Sequence, residues 1–171
     1  MFASSEYDKG DIIAQRIFEI NCPININEAI QKTEPLYFEL VDEIFTNIQN
    51  KNELKAIKQD ESKASYSLWL DSEDYFIDWS WSADKVKRFV DATGYPYDNA
   101  KAYINGEIVK FIDVEIVTDV VVEHRERHIG KVIFIKNGEP VVVCSDGLIG
   151  LKEIRDENDN EIFINFRSRF K

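Results

Sequence analysis

Asp8 has the surroundings of a chemically useful group. It lies in Glu6-Tyr7-Asp8-Lys9-Gly10-Asp11-Ile12-Ile13. A polar turn holds the carboxylate beside a glycine and then breaks into apolar chain. A carboxylate aimed from a strand end can give or take a proton, and open α/β sheets keep their chemistry there. Gly10 supports the loop, because only glycine leaves the backbone free of side-chain limits at such a turn.

Other candidates are weaker. His124 and His128 are the chain's two histidines, in Glu123-His124-Arg125-Glu126-Arg127-His128. Their spacing would suit a metal pair on a helix, but the stretch reads as a polar, solvated loop between strands. Asp71-Ser72-Glu73-Asp74 matches no calcium loop and reads as a solvated turn. Cys22 and Cys144 lie far apart without metal-type spacing, and both are expected as buried, reduced thiols. No metal site is expected. Tyr95 and Tyr97 flank Pro96 in an aromatic corner. Their rings could stack on a sugar or base, although core packing is the stronger expectation.

Composition narrows the chemistry. Hydrophobic residues make up 44% of the 171 and charged residues 31%, which is a globular balance. The net charge is −11, with 32 acidic against 21 basic residues. Such a chain is repelled by phosphate backbones, which argues against nucleic acid as a partner. No apolar run approaches the roughly 20 residues of a membrane helix. The first residues lack the charged and apolar regions of a signal peptide, so the expected location is cytoplasmic.

The elements that must position these residues follow in order. Ile12 to Ile20 is nearly continuous in apolar residues, as in a strand buried on both faces, and Pro23 follows it. Asn25-Ile26-Asn27 opens a helix with Asn27 as N-cap. Its apolar face runs through Ala29, Ile30, Tyr37, Leu40, Val41, Ile44, Phe45 and Ile48. Pro35 predicts a kink or two abutting helices. Residues 51 to 76 read as a linker, in which Tyr66 to Leu70 could dock across another surface. A second helix starts at an Ser82 N-cap, turns Val86, Phe89 and Val90 inward, and stops at Gly94. Asn105-Gly106 and Asn137-Gly138 then mark two hairpins. Leu148 to Ile154 and Glu161 to Phe166 add strands, which predicts a small antiparallel barrel or sandwich.

Asp8-Lys9-Gly10, Ile77-Asp78-Trp79-Ser80, Ser82-Ala83, Tyr95-Pro96-Tyr97 and Asp146-Gly147-Leu148 occur in that order. The series resembles the C-terminal half of the folate-dependent formyltransferases, which include methionyl-tRNA formyltransferase and the sugar N-formyltransferases. The resemblance implies an α+β chain in three parts. Residues 1–50 would be a strand and helix from the tail of a Rossmann-like catalytic domain. Residues 51–76 would be the linker, and 77–171 a linker helix with an OB-like antiparallel β-barrel. It also implies a reaction in which an amine attacks the formyl carbon of 10-formyltetrahydrofolate. An Asn and a His stabilise the oxyanion, and an Asp, here Asp8, assists proton movement.

The family's Asn and His belong to an Asn-x-His-Pro-Ser segment that this sequence does not contain. The expectation is therefore a partial formyltransferase that is inactive alone and holds no folate tightly. It would pair with a missing N-terminal half or self-associate. Glu6 to Gly10 and Gly94 to Tyr97 look closer to the sugar-directed enzymes, so the expected acceptor is a nucleotide-linked amino sugar, with Tyr95 and Tyr97 as candidate substrate contacts. The alternatives are a methionyl-tRNA formyltransferase fragment and a non-catalytic OB-like binding or oligomerisation module.

Overall fold

The strand signals from Ala100 onward become a five-stranded antiparallel sheet in the computed structural model, which describes residues 1–171. Its strands are β1 (Ala100–Ile104), β2 (Glu107–Val117), β3 (Val132–Lys136), β4 (Glu139–Val143) and β5 (Leu148–Asp156), in the spatial order β1-β2-β5-β4-β3. Both Asn-Gly hairpins form. Ile104 pairs with Glu107 and Lys136 with Glu139. Asn105 and Asn137 both have φ near 53, the left-handed geometry that tight hairpin turns demand. The chain divides into two compact units, residues 1–24 with 28–69, and residues 70–171 with 25–27.

The second unit holds the core. Helix α2 (Ala83–Thr93) starts where the sequence places its cap: the Ser82 side chain accepts from the Lys85 amide at 3.3 Å. Val86 and Val90 are buried beneath it, with Phe89 half-buried. Gly94 follows the helix at φ −65, so it ends α2 without using left-handed geometry. Phe111, Ile149 and Leu151 pack with Val86 and Val90 in the core between helix and sheet, while Leu148 packs with Val117, Val141 and Val143 in a second cluster. Trp79, Phe111 and Phe170 form an aromatic cluster with ring centroids 5.2 to 5.6 Å apart. The Trp79 Nε1 is buried without a hydrogen-bond partner, so packing alone holds that ring.

The five strands pair as an open sheet, not a closed barrel. β1 and β3 remain its edges. The predicted sixth strand, Glu161 to Phe166, is absent apart from one bridge from Glu161 to Arg155. The Asp156 carboxylate gathers the amides of Asn158 and Asn160, turning the chain back after β5. Beyond that turn Phe163 and Phe166 are exposed, with no ladder to share. The C-terminal residues serve the edges instead. Tyr103 of β1 exchanges two backbone hydrogen bonds with Lys171, each 2.9 Å. At the other edge, Val132 donates to Ser168 and accepts from Arg167. One short segment thus satisfies groups on both edge strands.

The first unit departs further from expectation. Ile12 to Ile20 is not a strand. Ile12 pairs with Ile57 through two backbone bonds of 2.8 and 2.9 Å, and the rest has no regular structure. A strand needs neighbours to take its amides and carbonyls, and this unit supplies one bridge. Helix α1 (Ile26–Gln49) is one continuous element with Pro35 inside, rather than two helices. Its apolar spacing keeps phase across Pro35, so the loss of one amide donor does not end it. It begins at Ile26, which places Asn27 in the first turn instead of at the cap. No residue of α1 is buried.

Candidate functional site

The Asp8 loop is held by backbone bonds and one distant side chain. Phe2 donates to the Asp11 carbonyl at 3.0 Å, and the Ile12–Ile57 bridge closes the far end. Gln59 Nε2 donates to the carbonyls of both Asp8 and Gly10, at 2.6 and 2.7 Å. Lys9 pairs with Glu6 at 2.8 Å, and its hydrogen bond holds the Glu6 carboxyl below its usual range. Gly10 is buried, and a Cβ there would lie 1.7 Å from the Phe2 carbonyl oxygen. No side chain fits, so the glycine allows the terminal segment to lie across the loop.

Asp8 has φ 55, and its side chain is exposed in no hydrogen bond or ion pair. Left-handed geometry at a non-glycine residue is uncommon, though Asp tolerates it better than most. The carboxylate is thus fixed at its root by Gln59 and free at its tip. It stands on a loop and not at a strand end, because the strand expected after it does not form. Such a group can exchange a proton with a nearby amine. It offers nothing to hold an oxyanion. His124 and His128 flank the short turn Arg125–Arg127 and belong to the second unit. No cluster of three or more His, Cys, Asp or Glu side chains could hold a metal.

Tyr95 and Tyr97 are 75% and 46% exposed, so core packing does not describe them. They follow α2 around a cis Tyr95-Pro96 bond, in a turn closed by Tyr97 donating to the Gly94 carbonyl at 2.9 Å. Both rings are available as flat surfaces, and they belong to a different unit from Asp8. Cys144 is buried as expected, whereas Cys22 is exposed. Burial pushes the Cys144 thiol up to about 12.

The remaining motifs build one joint in the second unit. Ile77 donates to the Lys101 carbonyl and Lys101 to that of Tyr75, each at 2.8 Å, which fastens the Ile-Asp-Trp-Ser segment beside β1. The Asp78 carboxylate takes the Ser80 amide at 2.9 Å, and Ser80 holds its carboxyl below the usual range. Ala83 donates to the Asp146 carbonyl at 2.7 Å, and Ser145 to that of Trp81 at 3.1 Å. A Cβ on Gly147 would press within 2.9 Å of the Ala83 Cβ, which accounts for glycine between Asp146 and Leu148. Arg125 completes the joint. It donates to the Gly147 carbonyl at 2.9 Å and pairs with both Asp119 oxygens at 2.6 and 2.8 Å. Its guanidinium holds the Asp119 carboxyl below the usual range. Sequence reasoning missed Gln59, Arg125 and Phe170. Only Phe170 left a signal, in the alternation of Phe166, Ser168 and Phe170.

These motifs and this sheet have known relatives. Residues 70–166 match the family described as "Formyl transferase, C-terminal domain". A methionyl-tRNA formyltransferase of Alkaliphilus oremlandii is 27% identical over 156 residues, 91% of this chain and 48% of that protein. One of Syntrophomonas wolfei is 28% identical over 155 residues, with the same coverage of each chain. HypX from Aquifex aeolicus, in complex with tetrahydrofolic acid, superposes with a TM-score of 0.66. It is 21% identical and covers 94% of this chain and 27% of its own, a likeness of fold. The chain spans about half the length of the curated relatives it matches. It belongs to the formyl transferase C-terminal domain family.

Proposed function

We propose that this chain is the acceptor-side half of a formyl-transferring enzyme and is inactive without a further segment. The family match carries the reading, because it comes with a free carboxylate at Asp8 and no Asn-x-His-Pro-Ser segment. In the proposed reaction an amine attacks the formyl carbon of 10-formyltetrahydrofolate. The new carbon–nitrogen bond forms first and places an oxyanion on the formyl oxygen. The bond to the folate nitrogen then breaks, and the amine's proton passes by way of Asp8 to that departing nitrogen. A separate Asn and His hold the oxyanion. The first unit supports incompleteness. Leu68 and Trp69 are 93% and 95% exposed, and the apolar face of α1 leaves Tyr37, Phe38, Val41 and Phe45 in water. Apolar surface so concentrated marks an interface. Its proposed occupant is the segment that carries Asn-x-His-Pro-Ser, in the same polypeptide or a second one.

The proposed acceptor is the amine of a nucleotide-linked amino sugar. The net charge of −11 and the exposed Tyr95 and Tyr97 rings support it. The names of the relatives favour a second acceptor, methionyl-tRNA. Salt separates the two. A protein that neutralises 6–10 phosphates loses about 10³–10⁵ in affinity between about 50 and 200 mM salt. We expect initiator tRNA to bind weakly at both salt concentrations, and a nucleotide-linked amino sugar to bind with affinity that changes little. Tight tRNA binding with that steep loss would replace the sugar reading with the tRNA reading.

A further inference from the structure

In the second unit Lys87, Lys101, Lys110, Arg125, Lys152 and Arg155 all pair with carboxylates. Lys85, Arg127, Lys136, Arg169 and Lys171 form no ion pair. Lys131 and Arg167 form none either, but these two share one open cavity of about 480 Å³. Small-molecule pockets run from roughly 300 to 1,000 Å³. The cavity floor is apolar, formed by buried Val132 and Val143 with half-buried Ile133. Its rim carries Val121, which is 102% exposed, and Phe166, which is 52% exposed. Two other titratable groups face it. Glu123 turns to His124 Nε2 at 3.6 Å, and His128 is half-buried.

Arg167 is set with care. It has φ 68, a strained geometry for a side chain of its size. Backbone bonds on either side enforce it: Arg167 donates to the Val132 carbonyl at 3.1 Å, and Ser168 to that of Asn165 at 3.2 Å. Its guanidinium lies over the Phe166 ring, 5.3 Å from the centroid. A guanidinium stacked on a ring keeps its edge donors free for a carboxylate or phosphate.

We propose that this cavity binds a small amphipathic anion, with its charged head on Lys131 and Arg167 and a flat apolar body against Ile133, Val121 and Phe166. The site lies within the second unit and does not depend on the reading of Asp8.

The test is a series of amide NMR titrations of the full chain with 1-naphthyl phosphate, 1-naphthoate, neutral 1-naphthol and inorganic phosphate. One of the two naphthyl anions is expected to saturate and to shift the amides of Val121, Lys131, Ile133 and Arg167. It should bind at least tenfold tighter than both naphthol and inorganic phosphate, and the tighter head group identifies the class. Lys131→Gln and Val121→Asp should each weaken it at least fivefold. Val121 is fully exposed, so that variant keeps its fold, and the undisturbed spectrum confirms it. Equal binding of naphthol, equal binding of inorganic phosphate, or shifts scattered outside the cavity would each overturn the proposal. So would displacement of the naphthyl anion by a stem-loop RNA at 200 mM salt, which would mark a backbone track.

Discussion

Asp8 and Cys144 show how much at residue scale depends on surroundings. Asp8 makes no side-chain bond, and asparagine shares its tolerance of left-handed backbone. Asp8→Asn should therefore leave thermal stability unchanged. In the presence of a segment bearing Asn-x-His-Pro-Ser, it should lower kcat by about 100-fold or more, the scale of a lost proton-transfer group. Unchanged kcat in a folded variant would remove Asp8 from the mechanism. The thiols divide by burial. Iodoacetamide at pH 8 should label Cys22 alone in the native protein and both thiols in denaturant. Burial raises the folded Cys144 pKa to about 12, above the ordinary thiol value of 9.0. The unfolded state therefore loses that proton first. Stability from this group is whole below pH 9 and falls as pH rises from 9 to 12. Native labelling of Cys144, followed by peptide mass, would contradict its burial.

At the scale of elements, the C-terminal segment is worth more than its length suggests. Phe170 is 2% exposed between Trp79 and Phe111, and its neighbours bond both sheet edges. Phe170→Ala should cost about 3–5 kcal/mol in denaturant unfolding of the second unit. A loss below about 1 kcal/mol would mean the tail is an accessory. Local signals were legible in the sequence. The Asn-Gly turns, the Ser82 cap and the α2 stripe of Val86 and Val90 each depend on residues a few positions apart, and each formed as read. Partnered features were not legible. Ile12 to Ile20 has strand composition, but a strand is made by its neighbours. Gln59 reaches Asp8 from 51 residues away, and Arg125 reaches Gly147 from 22, with no periodic pattern to announce either. The candidate site was legible as a motif, Asp8 with Gly10. Its clamp was not.

At the scale of the whole molecule, the two units differ in how much they bury. The second has a buried core, satisfied edges and a family match over residues 70–166. The first has a 24-residue helix with nothing buried and an exposed Asp8 carboxylate that makes no side-chain bond. A carboxylate alone cannot polarise a formyl group, because the developing negative charge needs donors placed before the reaction begins. In the proposed reaction Asp8 serves a site completed by a segment bearing Asn-x-His-Pro-Ser. The most direct test is tetrahydrofolate release from 10-formyltetrahydrofolate, with a nucleotide-linked amino sugar as acceptor. It is measured for the full chain alone and again with an added segment bearing Asn-x-His-Pro-Ser. No release above the buffer rate is expected for the chain alone, and release that requires Asp8 is expected once the segment is supplied. Formyl transfer by the chain alone would contradict the proposal.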